Sequence, residues 1–290
     1  MPFSLSPSVP VNESLIKERV QAILSSQELI PLQAKQLRLI LEVMDLTSLN
    51  ANDSIESIQA LCQLALRPSP TVPSLPQVAA VCIYPPFIPT AKNTLRHSAI
   101  RVATVAGGFP EGNMPSQQKY EQVQEALDLG ADEIDMVLNR DWLLQGEYAQ
   151  LHDEIASIKQ HCAAIPLKVI LETGALPHLQ QVSLASRIAI AAGADFIKTS
   201  TGKIPQGASL EAVLVMLDAI HEEYARSGKK IGLKPSGGIS TVQKAQNYMA
   251  LVKLSLGESW LHKDLFRFGA SSLLGDVVRE LGVLTNHTMH

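Results

Sequence analysis

The sequence predicts a (β/α)₈ barrel of the TIM type with a helical N-terminal extension. Short apolar runs alternate with longer amphipathic stretches, eight such runs can be counted, and Gly-Ala-Asp directly precedes two of them, at 130–132 and 193–195. This alternation is typical of parallel strands separated by helices. One such barrel takes about 250 residues, which fits a chain of 290. An open doubly wound sheet is the alternative.

The elements follow one another along the chain. After a proline- and serine-rich arm, Asn12 is expected to cap a first helix, and Pro31 to open a second that runs to about Glu42. The expected strands are 43–47, 78–84, 100–105, 133–138, 167–172, 196–200, 231–234 and 266–270. Helices are expected at 54–66, 117–129, 144–161, 182–192, 210–226 and 241–255. We therefore assign 1–42 to an N-terminal arm and helices, which are expected to pack on the bottom of the barrel or to contact a partner. Residues 43–281 are assigned to the barrel and 282–290 to a C-terminal tail.

Composition excludes several classes of protein. Hydrophobic residues make up 46% of the chain, enough for a large core, and the net charge of −4 argues against nucleic-acid binding. No apolar stretch is long enough for a membrane span, and no signal peptide is visible. Three cysteines are too few for a disulfide framework or a zinc site. We expect a cytoplasmic protein that binds neither membrane nor nucleic acid.

Charged residues occupy the strands where a barrel interior is normally apolar. The active site of such a barrel lies at the C-terminal ends of its strands. Side chains alternate along a strand, which points Glu133, Asp135, Lys168, Lys198 and Lys234 inward. Burying charge is costly, so these residues indicate a catalytic site. An ion-pair layer that merely fills the barrel is the alternative.

Clustered lysines suit covalent catalysis on a carbonyl substrate. The attacking amine must be neutral, whereas a free lysine has a pKa near 10.4. A second ammonium at about 6 Å opposes protonation by roughly 2.8 kcal/mol at an effective dielectric of 20. An inward carboxylate such as Asp135 could relay protons through water. These considerations do not choose the nucleophile among Lys168, Lys198 and Lys234.

Glycine-containing turns follow the last three strands. They are Thr201-Gly202-Lys203, Ser236-Gly237-Gly238 and Gly269-Ala270-Ser271-Ser272. Glycine lets backbone N–H groups approach an anion, and barrels often bind phosphate after strands seven and eight. The predicted substrate is a phosphorylated carbonyl compound.

Several of these segments resemble the deoxyribose-phosphate aldolase family. The resemblance is carried by Phe-Ile-Lys-Thr-Ser-Thr-Gly-Lys at 196–203 and Gly-Leu-Lys-Pro-Ser-Gly-Gly at 232–238, with further matches at 44–47, 81–85, 130–135, 167–174 and 267–272. It runs in order from about residue 43 to residue 281. The family implies reversible cleavage of 2-deoxy-D-ribose 5-phosphate to acetaldehyde and D-glyceraldehyde 3-phosphate by a class I aldolase, with no metal or organic cofactor.

The resemblance also implies roles for single residues. Lys198 matches the Schiff-base lysine, Lys234 the lysine that activates its neighbour, and Asp135 the acid that relays protons. The substrate-binding residues implied are Asp45, Thr47, Cys82, Lys168, Thr201, Gly202, Lys203, Gly237, Gly238, Gly269, Ser271 and Ser272. A small buried filler is the competing interpretation of Cys82.

Two departures from the family pattern modify these expectations. Many relatives carry a basic residue where this chain has Ser240, so weaker phosphate dependence is expected. Some relatives end in a tyrosine that reaches the site, whereas this chain ends in His290, so less efficient proton transfer is expected.

Other functions remain open at this point. The alternatives are another class I aldolase acting on a different sugar phosphate, and a non-catalytic sugar-phosphate binding protein. The eight histidines show no paired ligand spacing, which disfavours a metal-dependent aldolase. Small phosphorylated aldehydes are the expected partners, and the family suggests a homodimer.

Overall fold

Eight parallel strands form the centre of the protein. A computed structural model describes residues 10–27, 33–70, 72 and 74–287. The strands are β1 (Met44–Thr47), β2 (Ala80–Ile83), β3 (Arg101–Ala106), β4 (Glu133–Val137), β5 (Leu167–Ile170), β6 (Phe196–Lys198), β7 (Gly232–Lys234) and β8 (Phe268–Ala270). Their order is β7-β6-β5-β4-β3-β2-β1-β8. Parallel bridges from Leu233 to Phe266 and from Ser236 to Gly269 join the two outer strands. The predicted (β/α)₈ barrel is therefore confirmed, and the open sheet is excluded.

Helices alternate with the strands as expected. They are α1 (Glu13–Gln27), α2 (Ala34–Glu42), α3 (Ile55–Leu66), α4 (Ile88–Leu95), α5 (Ser116–Asp128), α6 (Arg140–Gln145), α7 (Tyr148–Cys162), α8 (Leu179–Ala191), α9 (Leu210–Ser227), α10 (Val242–Leu256) and α11 (Leu273–His287). None of these helices, within the part of the chain that the structure describes, combines the length and apolar character needed to cross a bilayer.

The single helix expected at 144–161 is wrong, because two helices occupy this region. Asn139 caps α6 by accepting the backbone N–H of Trp142 at 3.2 Å. Gly146 then takes up a left-handed conformation with φ of 85° and ends the helix. Glycine adopts this conformation without a steric penalty, which is why it commonly terminates helices. The chain restarts as α7 at Tyr148.

The first helix packs on the outer wall of the barrel rather than across its bottom. As predicted, Asn12 caps it, accepting the N–H groups of Ser14 and Leu15 at 3.0 and 3.1 Å. The helix α1 lies against α9 and α10, and Arg19 binds both carboxylate oxygens of Asp218 at 2.8 Å. The expected helix start at Pro31 lies outside the described residues.

The last helix runs past the boundary expected for the barrel. The limit drawn at residue 281 falls inside α11, which continues to His287. Leu281 is buried and Leu284 packs against the core, so apolar contacts continue beyond that limit. The division of the chain into three parts remains a prediction.

The barrel interior has an apolar side and a charged side. Leu49, Ala80, Cys82, Ala103 and Val105 pack together on the apolar side. The charged side chains come from β1, β4, β5, β6 and β7, and from the residue before β8. Outward-facing residues of the same strands join the apolar layer under the helices; they include Ile134, Met136, Ile197 and Leu233. This confirms the predicted alternation and brings the charges together.

Candidate active site

Seven charged side chains meet inside the barrel. They are Asp45, Glu133, Asp135, Lys168, Lys198, Lys234 and Arg267, and all are buried. Strand register brings them together, because Asp135 is paired with Lys168 between β4 and β5, and Lys198 with Lys234 between β6 and β7. Four buried cations therefore share three carboxylates, and the partly exposed Arg101 also pairs with Glu133 at 2.9 Å.

Asp135 lies at the centre of this cluster. Its Oδ1 accepts a hydrogen bond from Lys168 Nζ at 2.7 Å. Its Oδ2 accepts from Lys198 Nζ at 2.9 Å and from Lys234 Nζ at 2.8 Å. Because both Nζ atoms contact the same oxygen, they lie within two hydrogen-bond lengths of each other. The predicted lysine pair across β6 and β7 is thus present, joined by a shared carboxylate oxygen.

The charges around Asp135 determine which groups stay ionised. Burial by itself raises the pKa of Asp135, but Lys168, Lys198 and Lys234 outweigh it and hold this pKa well below its ordinary value. Burial likewise opposes the charge of Lys234, but Asp135 and Asp45 outweigh it and hold its pKa above the ordinary lysine value. The cluster therefore keeps an anion at Asp135 and a cation at Lys234.

The three lysines differ in how many carboxylates they contact. Lys234 Nζ lies 2.5 Å from Asp45 and 2.8 Å from Asp135. Lys168 Nζ lies 2.6 Å from Glu133 and 2.7 Å from Asp135. The ion pairs found among the described residues give Lys198 one carboxylate, that of Asp135. Lys198 is also the one of the three that lines the cleft above the cluster.

Arg267 belongs to the cluster, although the sequence interpretation did not assign it a role. Its guanidinium binds Asp45 and donates to Glu133 Oε1 at 2.8 Å. Strand alternation could have identified it, because Phe266 and Phe268 face the helices and place Arg267 between them on the inner face. The two phenyl rings pack edge to face with centroids 4.8 Å apart.

We expect Arg267→Met to destabilise the protein by about 3–5 kcal/mol, because it leaves Asp45 and Glu133 with less compensating charge in the interior. The measurement is urea unfolding. Arg226→Met is the matched control: Arg226 pairs with Glu223 on the exposed surface of α9, and its loss should cost less than about 0.5 kcal/mol. A loss below about 1 kcal/mol for Arg267→Met contradicts the prediction.

We expect the free energy of unfolding to be level between about pH 5 and pH 9 and to fall outside this range. Asp45 and Asp135 have lowered pKa values, so their contribution is present above the unfolded value near pH 4 and is lost in acid. Lys168 and Lys234 have raised pKa values, so theirs is present below about pH 10 and is lost in alkali. Urea titrations across this range test the expectation, and a steady decline between pH 5 and pH 9 would oppose it.

A cleft of about 300 Å³ opens above the cluster at the C-terminal end of the barrel. The predicted site residues that line it are Thr47, Lys198, Thr201, Gly202, Lys203, Gly237, Gly238, Gly269, Ser271 and Ser272. Asp45, Cys82, Asp135, Lys168 and Lys234 do not line it and lie buried in the barrel interior. The cleft and the buried cluster therefore meet at Lys198.

Several lining residues were absent from the predicted set. Those with polar side chains are Ser48, Asn50, Ser236 and Ser240. Ser48 and Asn50 both bind the carboxylate of Asp53, with Ser48 Oγ donating at 2.8 Å. They follow β1 directly, so their position at a strand end was the available signal. The walls are thus rich in hydroxyl groups.

Close backbone packing forms the glycine turns of the cleft. Gly237 has φ of 84°, and a Cβ added there would lie 2.8 Å from the Cα of Gly207. A Cβ at Gly269 would lie 2.7 Å from the Cβ of Ser236. Side chains are therefore excluded at these positions, and backbone groups form this wall of the cleft.

Two cations lie beside these turns. Lys203 lines the cleft, donates to the carbonyl oxygen of Leu49, and lies 5.6 Å from the ring centroid of Tyr84. Lys244, four residues beyond Ser240, donates to the carbonyl oxygen of Gly238 at 2.9 Å. Lys244, in the first turn of α10, thus places a cation beside the turn that contains Gly238 and the uncharged Ser240.

Cys82 is placed behind the cleft. Its Sγ lies 3.9 Å from Asp135 Oδ2, and burial raises the pKa of its thiol. A buried neutral thiol at this distance packs against the cluster from its apolar side. Direct contact between Cys82 and a molecule in the cleft remains a prediction.

Lysines around a shared carboxylate, below a glycine- and serine-lined cleft on a (β/α)₈ barrel, define a site of the class I aldolase type. The sequence profile described as "DeoC/LacD family aldolase" matches residues 39–276. The chain belongs to this family. It is 39% identical over 284 residues to "Deoxyribose-phosphate aldolase" of Mus musculus, covering 94% of this chain and 89% of that protein.

A second relative agrees with the family assignment, and a solved structure agrees with the fold. The chain is 40% identical over 259 residues to "Deoxyribose-phosphate aldolase" of Homo sapiens, covering 86% of this chain and 81% of that protein. The barrel is also similar to the solved structure of the deoxyribose phosphate aldolase of Aeropyrum pernix, whose tetrameric assembly is described as unique. The TM-score is 0.67 at 22% identity, covering 91% of this chain and 98% of that chain, which supports the fold.

Proposed function

We propose that this protein catalyses the reversible cleavage of 2-deoxy-D-ribose 5-phosphate to acetaldehyde and D-glyceraldehyde 3-phosphate through a Schiff base on Lys198. The position of Lys198 is the main support for this proposal. Its amine lines the cleft and shares one oxygen of Asp135 with Lys234. The names of the mouse and human relatives supply the substrate.

Charge and access both favour Lys198 as the nucleophile. Lys168 and Lys234 each contact two carboxylates at 2.8 Å or less and have no exposed surface. Lys198 contacts one carboxylate and is 3% exposed toward the cleft. Lys198 is therefore the lysine with the fewest carboxylate contacts and the one with access to the cleft.

The covalent steps need no reactant other than the sugar phosphate and water. The Lys198 amine adds to the C1 aldehyde of the sugar, and loss of water gives the protonated imine. Breaking the C2–C3 bond sends its electron pair into an enamine, while the C3 hydroxyl loses its proton and becomes the aldehyde of the three-carbon product. Protonation at C2 and hydrolysis of the imine then release acetaldehyde. The imine is the electron sink, so this route requires neither metal nor organic cofactor.

Asp135 and Lys234 are placed to move the protons. Asp135 is held ionised and Lys234 is held protonated, so the resting proton lies on Lys234. The Oδ2 atom of Asp135 contacts both Lys234 and Lys198. We assign to this pair the transfer of a proton, through water in the cleft, to and from the carbinolamine oxygen and C2 of the enamine. Lys168 fixes the other oxygen of Asp135.

The glycine turns are assigned to the phosphate group. Gly202, Gly237 and Gly238 each have positive φ, and backbone N–H groups in such turns bind anions. Ser271 and Ser272 line the cleft just before α11 begins at Leu273, where a helix N-terminus favours negative charge. Lys203 supplies a cation at this wall, and Lys244 stands at its edge.

We expect Lys203→Met to raise KM for 2-deoxy-D-ribose 5-phosphate about tenfold, because a charge-assisted contact to phosphate is lost. KM for unphosphorylated 2-deoxy-D-ribose should change less than about twofold, since that sugar lacks the charge. The measurement is steady-state kinetics with both sugars. Lys253→Met, at the far end of α10 where Lys253 pairs with Glu258, is the control. Equal effects on both sugars would count against the assignment.

The proposed activity is tested by incubating the purified protein with 2-deoxy-D-ribose 5-phosphate and assaying acetaldehyde and glyceraldehyde 3-phosphate separately. We expect the two aldehydes to form in equal amounts. Other sugar phosphates assayed beside it test the specificity. Turnover of another sugar phosphate alone would assign a different aldolase reaction, and phosphate-sugar binding without turnover would oppose an aldolase function.

We also propose a cellular compartment and an oligomeric state for the protein. The three cysteines are buried free thiols, which fits a reducing compartment, and we assign the protein to the cytoplasm. We assign it a homodimeric state, with light scattering as the test; a monomeric mass would contradict it. Small phosphorylated aldehydes are its substrates, with no role for nucleic acid or membrane.

A further inference from the structure

Glu172 has an uncommon backbone conformation at the end of β5. It is fully buried, and its φ and ψ of 52° and 56° lie in the left-handed region. A residue with a Cβ adopts this conformation only at an energetic cost, because the Cβ crowds the following carbonyl oxygen. Strained residues of this kind persist when the surrounding structure holds them, and they cluster at functional sites.

The side chain of Glu172 holds the first turn of the cleft wall. Its Oε1 accepts the backbone N–H of Thr201 at 3.2 Å, and its Oε2 accepts the Thr201 hydroxyl. The same hydroxyl oxygen accepts the backbone N–H of Lys203 at 3.0 Å. A continuous chain of hydrogen bonds therefore joins the Glu172 carboxylate to Thr201-Gly202-Lys203, which we call the 201–203 turn.

A second contact fixes the same segment. Gly174, two residues after Glu172, packs against the backbone of Gln206, and a Cβ at Gly174 would lie 2.4 Å from the Gln206 carbonyl oxygen. The segment that follows β5 thus supports the 201–203 turn at Glu172 and the chain just beyond it at Gly174. The conformation of the turn depends on a neighbouring segment.

A carboxylate is well suited to these contacts. Thr201 presents two donors, an N–H and an O–H, and a carboxylate offers an acceptor oxygen to each. Glutamine has nearly the same shape but no charge and only one acceptor oxygen, so at least one of the two hydrogen bonds to a charged group would be replaced by a weaker neutral one. Arg140 Nη1 lies 3.7 Å from Glu172 Oε2 and offsets part of the buried charge.

We propose that Glu172 is a positioning residue that sets the 201–203 turn in its phosphate-binding conformation and so determines the preference for phosphorylated substrates. This inference rests on the proposed function, because it takes the phosphate to bind at that turn. Glu172 does not line the cleft and acts through Thr201.

The test compares Glu172→Gln, Thr201→Val and the double variant. For each single variant we expect KM for 2-deoxy-D-ribose 5-phosphate to rise about tenfold with kcat changed less than about threefold, since hydrogen bonds to a charged group are lost. KM for unphosphorylated 2-deoxy-D-ribose and borohydride trapping of acetaldehyde on Lys198 should stay near those of the unmodified protein. For the double variant, KM for the phosphorylated sugar should not exceed the higher of the two single-variant values, because both changes break the same contact. Glu222→Gln, on the exposed surface of α9, is the matched control.

Other outcomes overturn the inference. An unchanged KM for the phosphorylated sugar, or equal losses with both sugars, means that Glu172 is only structural. If Glu172→Gln does not fold, Glu172→Asp replaces it, because aspartate keeps the buried charge but its shorter side chain draws the carboxylate away from Thr201. If the unmodified protein shows no turnover, the proposed function fails, and calorimetry with inorganic phosphate still tests the turn: equal affinity of the unmodified protein and Glu172→Gln contradicts the inference.

Discussion

Lys198→Met reduces kcat/KM for 2-deoxy-D-ribose 5-phosphate by at least about 10⁴-fold, by analogy with the loss on the order of 10⁶ when the nucleophile of a covalent enzyme is removed. Methionine has similar length but no amine, so no imine can form. The expected result is loss of both aldehyde products in the coupled assay, with a circular dichroism spectrum like that of the unmodified protein. Lys198 makes one carboxylate contact, so its replacement should leave the rest of the cluster paired.

The control for this prediction is Lys253→Met, whose activity should be that of the unmodified protein because Lys253 lies on the surface at the end of α10. Residual activity above roughly one per cent in folded Lys198→Met would be about a hundred times the residual activity expected after a 10⁴-fold loss. That result would assign the nucleophile to Lys168 or Lys234.

Asp135→Asn has the second largest effect. We expect kcat to fall by about 10²–10⁴-fold, the usual contribution of a positioned proton-transfer group. The variant should also lose about 3–5 kcal/mol of stability, because three lysines lose their shared carboxylate in the interior. Steady-state kinetics and urea unfolding measure the two effects separately.

Asp45→Asn is the matched comparison for Asp135→Asn. Asp45 and Asp135 both contact Lys234. Asp45 also contacts Arg267, but only Asp135 contacts Lys198. Its replacement should cost comparable stability and a smaller part of kcat. Equal losses of kcat in the two variants would show that Asp135 acts only by maintaining the ion-pair cluster.

Strand alternation predicted the direction of most charged side chains, because its period of two is a local property of the backbone. Asp135, Lys168, Lys198 and Lys234 all point inward as expected. The prediction of a single helix at 144–161 was also wrong for a local reason, because Gly146 adopts a left-handed conformation that ends α6. A glycine near the end of a helical pattern was the signal for that break.

The choice among three lysines could not be made from the chain alone. Lys198 differs from Lys168 and Lys234 in its distance from Asp45 and Glu133, which are carried on β1 and β4. Those distances depend on how eight strands close into a barrel, and no local pattern encodes them. The contact of Glu172 with Thr201 could not be predicted for the same reason, because it depends on side-chain geometry between the segments that follow β5 and β6.

Every step of the proposed reaction depends on an imine formed at Lys198. Incubation with acetaldehyde and borohydride, followed by peptide mapping by mass spectrometry, tests it most directly. We predict a reduced two-carbon adduct on Lys198 that is absent from Lys198→Met. An adduct on Lys168 or Lys234 in its place, or no adduct on any lysine of the folded protein, would contradict the account.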